Sequence, residues 1–320
     1  MITQEYVKQF EDKIKNAKSI IIMGHKNPDG DALCSVIAMA RLIEQNYDKS
    51  PVCVYDGNIP DYLDAVPLRK RVRFFERVEE TESFDVAIVV DYGTIKNIGG
   101  PYKFVENAKF VIEIDHHIKQ DSVGALCMSD EKAAATAEVI YELIQAANLK
   151  MDITVASLLM TAIITDTGWF AFVKRGRVFQ IAADLVDFGV KIQPIMNELD
   201  NKARKTIITE SAAAANAEFL FHNKLAIAII DSKSYKNLDG RGETVLGLLQ
   251  QIAGLEYVVL LKEQKENQIG VSLRGKNNPV DKIANELGGG GHKNAAGAVV
   301  YDSLENVKNK IIELFKGVLK

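Results

Sequence analysis

Short apolar runs rich in β-branched residues alternate with longer amphipathic stretches through the first half of the chain, and few folds accommodate that order. The alternation is typical of an α/β fold with a mostly parallel sheet flanked by helices. Strands are expected at 19–24, 52–55, 85–90 and 110–114. Helices are expected at 32–45, 133–147, 153–164 and 178–188.

The second half restarts with its own elements, which predicts a separate, smaller α/β domain. Strands are expected at 224–230, 257–262, 268–273 and 298–301, the middle two joined as a hairpin by the turn EQKEN, and helices at 243–252, 280–287 and from Leu304 onward. Between the halves, 191–217 contains Pro194 and then polar and Ala-rich sequence. We therefore expect domains at 1–190 and 218–320, joined by a helical linker at 191–217.

Composition narrows the class of protein. The 320 residues are 47% hydrophobic and 26% charged, which is typical of a globular enzyme and excludes disordered, collagen-like and disulfide-rich secreted chains. No apolar run approaches the ~20 residues of a membrane-spanning helix. The first residues, MITQEYVKQFEDK, lack the apolar core of an export signal, and the three cysteines form no C-x-x-C pair. These features favour a cytoplasmic protein with no membrane partner.

The net charge of −4 conceals two halves of opposite sign. Residues 1–190 carry 21 basic and 28 acidic side chains, a net of −7, whereas residues 191–320 carry 18 and 15, a net of +3. An acidic half beside a basic half suits a divalent cation and a phosphate, although uneven surface charge often reflects solvation alone.

Aspartate and histidine side chains follow the expected strands at the points where those strands end. Because the carboxyl ends of parallel strands share one edge of a sheet, we expect these residues to converge there. The candidates are His25, Asp29 and Asp31 after the first strand, Asp91 after the third, Asp115, His116 and His117 after the fourth, and Asp166 at the end of an apolar helix.

Each of these residues also has a purely structural interpretation. The sequence NPDG commonly forms a turn, and Asp91 or Asp166 could cap the next segment. His116 and His117 could be one core and one surface histidine. None of these interpretations explains why so many such residues coincide with strand ends.

Several carboxylates gathered in one crevice cannot all remain ionised without compensation. Divalent cations provide it, and mixed imidazole and carboxylate ligands suit Mn, Fe, Co or Zn better than Ca or Mg alone. With this many ligands, two ions about 3.5–4 Å apart and bridged by one carboxylate are plausible, an arrangement that activates water for in-line displacement at phosphorus.

In the second half, the run GGGGH at 288–292 precedes KNAAG. Glycines let a phosphate or base approach the backbone, although such a run is commonly a flexible loop. Arg274 ends a predicted strand, and its planar guanidinium suits phosphate oxygens unless it is only a surface charge. His292 and Asn294 offer stacking and hydrogen bonds to a nucleotide.

The order HKNPDGDA, an isolated Asp after a strand, DHH, TDTG and a late GGGH resembles the DHH phosphoesterase superfamily with its DHH-associated C-terminal domain. Within it the layout is similar to the oligoribonuclease and pAp phosphatase (NrnA) type. The resemblance spans about 19–300. The sequence departs from the family pattern in two places. Cys34 stands where glycine is common, and the segment 169–177, WFAFVKRGR, stands where many relatives have an Arg or another polar residue with an SNT-like sequence.

The resemblance implies roles for individual residues. One metal would be held by His25, Asp29 and Asp91, and a second by Asp31, Asp91, His116 and Asp166, so that Asp91 bridges them; manganese is the usual ion. Asp115 would orient a metal-binding imidazole, and His117 would be the general acid. Arg274, Gly290, Gly291 and His292 would hold the terminal phosphate and base, and Lys174, Arg175 or Arg177 would replace the missing Arg.

We therefore expect a Mn-dependent phosphoesterase in which a two-metal-activated hydroxide attacks short oligoribonucleotides, pApA or 3′-phosphoadenosine 5′-phosphate (pAp). Cyclic-di-AMP, pyrophosphate or polyphosphate are alternative substrates, and a non-catalytic nucleotide-binding regulator is the alternative from another class. The modest +3 of the second half argues against long nucleic acid. A homodimer is compatible with the resemblance, although no apolar stripe in the sequence demonstrates one.

Overall fold

The computed structural model describes residues 2–79, 83–118, 120–238 and 242–319, apart from the side chains of Glu243 and His292. The chain divides into two compact units, Met1–Asp200 and Asn201–Lys320. Each unit has its own sheet and its own apolar core. Within the described residues, every helix is too short or too polar to cross a membrane.

The first unit contains a six-stranded sheet in the order β3-β2-β1-β4-β5-β6, with all neighbours parallel. Its strands are β1 (Ile20–Met23), β2 (Val52–Tyr55), β3 (Arg73–Phe74), β4 (Val86–Val90), β5 (Phe110–Asp115) and β6 (Leu126–Ser129). Its helices are α1 (Gln4–Asn16), α2 (Gly30–Tyr47), α3 (Ile95–Ile98), α4 (Tyr102–Glu106), α5 (Thr136–Ala146), α6 (Ile153–Asp166), α7 (Arg177–Asp187) and α8 (Ile192–Leu199).

The two faces of this sheet are covered differently. On one face, alternate strand residues such as Ile22 and Ile112 pack against the long helices α1, α2, α5, α6 and α7. On the other, residues such as Ile21 and Val111 pack against the short helices α3 and α4 and their loops. The predicted parallel sheet flanked by helices is confirmed, with α6 apolar on nearly every side because it lies inside the helical layer.

The second unit contains a mixed sheet in the order β11-β12-β10-β9-β8-β7, in which only the β8–β9 pair is parallel among the described strands. Its strands are β7 (Glu218–Leu220), β8 (Leu225–Ile230), β9 (Tyr257–Lys265), β10 (Gln268–Gly275), β11 (Gly290–His292) and β12 (Ala295–Val300). Its helices are α9 (Arg204–Ala215), α10 (Ser232–Tyr235), α11 (Glu243–Gln250), α12 (Asp281–Glu286) and α13 (Leu304–Val318).

Two segments differ from the sequence-based expectation. The segment 191–217, expected to be a linker, contains α8, whose apolar residues pack on the core of the first unit, and α9, which belongs to the second. The division between the two units therefore lies at 200, inside that segment. The glycine-rich run at 288–292 is not a loop throughout, because its last three residues, 290–292, form strand β11, which pairs with β12. The close approach of β11 to β12 requires glycine at 289 and 291.

Candidate metal centre

The first group of candidate residues lies in the turn between β1 and α2. Asp29 caps α2, and its Oδ1 accepts hydrogen bonds from the backbone N–H of Asp31 and Ala32, both at 3.1 Å. A Cβ atom on Gly30 would lie 2.3 Å from Oγ1 of Thr165. The glycine therefore allows the end of α6, which carries Asp166, to lie directly against the start of α2.

Asp91 follows β4 in the left-handed backbone region, with φ of 51°. It is only 2% exposed, its N–H donates to the carbonyl of Ile114 at 3.0 Å, and its Oδ1 accepts from Oγ1 of Thr136 at 3.0 Å. Such a φ is uncommon for a residue other than glycine and is often found at functional sites. The turn directs the Asp91 carboxylate into the crevice.

Asp115, the last residue of β5, binds backbone rather than facing the other carboxylates. Its two oxygens accept from the N–H groups of Tyr92, Gly93, His116 and His117 at 2.7–3.3 Å, and Oδ1 lies 2.8 Å from Nδ1 of His117. Burial alone would raise the pKa of Asp115, but these bonds, led by that from His117, lower it to about 2. The ring that Asp115 holds belongs to His117, the expected acid, which also shares a group of possible metal ligands with Asp91 and His116. That Asp115 orients a metal-binding imidazole stays a prediction.

The remaining candidates converge around two imidazoles. Nε2 of His25 lies 3.6 Å from Oδ1 of Asp29 and 3.7 Å from Oδ2 of Asp91. Nε2 of His116 lies 3.4 Å from Oδ2 of Asp166, 3.5 Å from Oδ1 of Asp91 and 4.0 Å from Oδ2 of Asp31. These two sets, together with Asp91, His116 and His117, have the spacing of metal-ligand groups.

Several carboxylates of this cluster resist ionisation in the folded protein. Burial, followed by the neighbouring carboxylates, raises the pKa of Asp31 to about 7 and of Asp166 to about 8, and raises that of Asp91 well above its usual range. Burial also lowers the pKa of His116 to about 4, which keeps its imidazole neutral. Nε2 of His116 is buried and has no hydrogen-bond partner.

A neutral imidazole with an unpaired buried nitrogen, surrounded by three carboxylates that resist ionisation, fits a divalent cation. The residues present can therefore hold metal ions of the kind that mixed imidazole and carboxylate ligands prefer.

Sequence reasoning missed the residues that hold Asp31 in place. Its carboxylate accepts from the N–H of Thr136 at 2.6 Å, the N–H of Ala137 at 3.2 Å and Oγ of Ser35 at 3.1 Å. Thr136 thus contacts both Asp31 and Asp91. Its position as a hydroxyl at the start of an expected helix is the only signal the sequence offers.

The basic residues of the 169–177 segment separate into two groups. Arg175 forms ion pairs with Glu138 and Asp130, and Arg177 pairs with Glu142. Lys174 donates to the carbonyl of Glu131 at 3.2 Å, and its charge acts on His116 and Asp166. Arg175 and Arg177 are therefore held by carboxylates, whereas Lys174 contacts a backbone carbonyl.

The candidates in the second unit lie in one region of its sheet. Arg274 of β10 and His292 of β11 are both opposite Ala295 of β12, and the carbonyl of the neighbouring Asn294 accepts from Gly275 N–H at 3.0 Å. The side chain of His292 lies outside the described part of the chain.

The glycines here have two roles. A Cβ on Gly291 would lie 2.6 Å from Cα of Ala296, and one on Gly289 would lie 2.1 Å from the carbonyl of Gly297, so both are needed for strand pairing. A Cβ on Gly290 would meet nothing closer than 3.8 Å. Of these three glycines, Gly290 is the one that leaves open space where a Cβ atom would lie.

Comparison with known protein families also divides the chain into two domains. Residues 19–163 match the model of the DHH family, N-terminal domain, and residues 223–320 match the DHHA1 domain. Together the two matches cover more than half of the chain. The chain belongs to the DHH family and is a hydrolase of the phosphodiesterase or phosphatase class.

Among individual proteins, the chain is 27% identical to the probable bifunctional oligoribonuclease and PAP phosphatase NrnA of Streptococcus mutans, covering 96% of this chain and 97% of that one. It is 28% identical to the bifunctional oligoribonuclease and PAP phosphatase NrnA of Thermus thermophilus, covering 92% and 88%. The crystal structure of an exopolyphosphatase-related protein from Bacteroides fragilis superimposes with a TM-score of 0.90 at 22% identity, covering 100% and 98%, which shows a shared fold.

Proposed function

We propose that this protein is a manganese-dependent phosphoesterase that hydrolyses short oligoribonucleotides, the dinucleotide pApA and pAp. Two divalent cations would be held in the first unit, one by His25, Asp29 and Asp91, the other by Asp31, Asp91, His116 and Asp166. The names of the relatives in Streptococcus and Thermus support the substrate class.

One observation carries the two-metal proposal. The two oxygens of Asp91 face different histidines: Oδ2 lies 3.7 Å from Nε2 of His25, and Oδ1 lies 3.5 Å from Nε2 of His116. A carboxylate with one oxygen toward each set of ligands is the geometry expected of a bridge between two ions. The mixed imidazole and carboxylate ligands favour manganese over calcium or magnesium alone.

When bound, two such ions supply an activated water and neutralise the phosphate oxygens. The protein's own contribution is positional. Asp115 accepts from Nδ1 of His117, which leaves Nε2 of that ring for the leaving oxygen of the substrate. His117 would therefore give the proton that the departing alkoxide needs, while Thr136 fixes the carboxylates of Asp91 and Asp31.

The second unit would bind the rest of the substrate. Arg274, Asn294 and the backbone at Gly290 and Gly291 would contact its terminal phosphate and base, together with His292. The guanidinium suits phosphate oxygens, and the open surface at Gly290 admits close approach to the backbone. The weak positive balance of this half supports a small ligand in preference to long nucleic acid.

The three free cysteines, Cys34, Cys53 and Cys127, support a reducing cytoplasmic location. We propose no membrane partner, and sedimentation would decide between a monomer and a homodimer.

Product chromatography on a panel of pAp, pApA, a three-residue RNA, cyclic-di-AMP and pyrophosphate tests the proposal. With Mn²⁺ we expect turnover of pAp, pApA and the RNA, and with EDTA none. Turnover of only cyclic-di-AMP or only pyrophosphate would replace the substrate assignment. Turnover that persists in EDTA would refute the metal mechanism, and a chain that binds these nucleotides without cleaving them would be a regulator.

A further inference from the structure

We propose that residues 168–172, here named the aromatic rim, form a binding subsite for a nucleobase of the substrate beside the metal centre. The inference rests on the proposed function, because it requires a substrate that contains a base. It assigns a role to a segment that departs from the family pattern.

One end of the aromatic rim lies at the metal centre. It begins two residues after Asp166, whose Oδ2 is 3.4 Å from Nε2 of His116. Thr167 fixes the turn, because its hydroxyl donates to the carbonyl of Ile163 at 2.6 Å and accepts from Phe170 N–H at 2.9 Å.

The backbone of the aromatic rim is unusual. Gly168, Trp169 and Phe170 are three consecutive left-handed residues, with φ of 53°, 61° and 63°. Bulky aromatic residues rarely adopt this conformation, and where they do the strain is commonly tied to function. Burial accounts for Phe170, which packs on the core and stacks on Phe179 with ring centroids 5.6 Å apart.

The other two rings of the aromatic rim face solvent. Trp169 is 40% exposed and Phe172 is 74% exposed, and the Phe172 ring lies over Gly168, where a Cβ atom would be 2.9 Å from its Cδ2. The turn therefore fixes two aromatic surfaces outward beside a cluster built for a phosphate. A base is one sugar away from its phosphate, and bases of any identity stack on such rings.

The fluorescence of Trp169, the single tryptophan of the chain, gives a direct binding test. With Mn²⁺ present, titration with AMP should quench this fluorescence, whereas ribose 5-phosphate, which has the phosphate and sugar without the base, should not. Phe172→Ala should weaken AMP binding about tenfold, equivalent to about 1.4 kcal/mol. Phe172→Tyr is the conservative variant, because it keeps an aromatic ring without adding a second tryptophan to the fluorescence signal. It should bind AMP as well as the wild-type protein does.

Phe188→Ala is the matched control. Phe188 is 48% exposed in the same unit, and it precedes Gly189, which lies near Ile153 at the opposite end of α6 from Asp166. AMP binding should be unchanged in this variant.

Kinetics separate the rim from the reaction itself. Phe172→Ala should raise KM for pAp about tenfold while leaving kcat/KM for ribose 3,5-bisphosphate unchanged. Equal losses on both substrates, unaltered AMP binding in Phe172→Ala, or quenching by ribose 5-phosphate as strong as by AMP would each overturn the subsite. If the wild-type protein cleaves no phosphate ester, the proposed function fails, and the fluorescence titration still decides whether the rim binds a base.

Discussion

Asp91 combines backbone and side-chain features that no other described residue of the cluster shares. Its left-handed φ aims the carboxylate into the crevice, and each oxygen faces a different histidine. Because Asp31, Asp29 and Asp166 surround it, an ionised Asp91 is unfavourable in the metal-free protein. Metal binding requires Asp91 to be ionised, whereas the stability of the metal-free protein favours a neutral side chain at this position.

Replacing Asp91 by Asn tests both demands. Manganese-dependent kcat should fall by more than about 100-fold, because changing even an outer contact of a metal ligand costs 10–100-fold. In EDTA the variant should melt at a higher temperature than the wild-type protein, because a buried group that resists ionisation becomes neutral. Turnover and thermal denaturation measure the two effects.

Asp184→Asn is the control, since Asp184 accepts from Tyr141 in the same unit but lies outside the metal-ligand groups. It should retain full activity. Near-wild-type turnover in Asp91→Asn would disprove the bridge.

At this scale the sequence predicted which residues converge but not what each one contacts. Strand-end positions were enough to bring His25, Asp91 and His116 together, and Asp166 joins them from the end of the apolar helix α6. Which of the two adjacent rings Asp115 contacts was not predicted, because that choice depends on the direction in which the backbone turns after β5. Thr136 was missed because its contacts depend on the residue at which α5 begins.

Among the secondary-structure elements, β5 organises the loops around the site. Glu113 and Asp115 are two residues apart and so point to the same face of the sheet. Glu113 is buried and accepts from the hydroxyl of Tyr92 at 2.9 Å and from the N–H groups of Val123 and Gly124 at 3.0 and 2.9 Å. The loop after β4 and the loop after the two histidines are therefore fastened to the same strand.

The contact between α2 and α6 sets the separation of Asp29 and Asp31 from Asp166. Gly30→Ala should destabilise the protein by about 1–3 kcal/mol, because the added methyl overlaps Thr165 and the helices must separate. Activity should fall with it as the ligands move apart. Urea denaturation and Mn-dependent turnover measure the two losses.

Gly176→Ala provides the comparison, because a Cβ there meets nothing within 4 Å and the backbone φ is −66°. It should change stability little. Equal stability of Gly30→Ala and wild type would mean that α6 does not lie as close to α2 as described.

Elements with a strong apolar pattern were predictable, and those with a weak pattern were not. The expected strands at 85–90 and 110–114 match β4 and β5 within a residue. β3 has two residues and β6 reads LCMS, so neither carries enough pattern to be recognised. The expected helix at 133–147 starts instead at Thr136, after Ala135 adopts an extended conformation.

For the whole molecule, two cores and the sign change of the charge along the chain agree with two units. The point of division was less predictable, because α8 has an apolar face that packs on the first unit and no glycine or proline run marks its end. The candidate metal ligands and the proposed substrate-binding residues thus lie in separately folded units.

The metal-free protein should lose stability as pH rises from 6.5 to 8. Asp31 and Asp166 have an ordinary pKa of 3.8, and the folded structure raises it to about 7 and about 8. The folded protein then holds more protons than the unfolded chain, so the free energy of unfolding falls as pH rises. His116, with its lowered pKa, opposes this trend only below about 6.5, where the unfolded chain is protonated.

Manganese should reverse the trend, because its ligands bind ionised and release protons. Melting temperatures at pH 6.5 and 8, with EDTA and with Mn²⁺, check this, and the gain on adding metal should be larger at pH 8. A gain that is equal or smaller at pH 8 would indicate that these carboxylates do not bind the ion.

The left-handed turn at 168–170 also bears on how such a chain can change over time. Glycine in place of the exposed Trp169 would relieve backbone strain without loss of core packing, so selection for stability alone would favour it there, as at Gly168. A lineage that did not bind a base at this turn would be expected to drift toward glycine at 169, whereas one that did would keep the ring at the expense of a less robust fold.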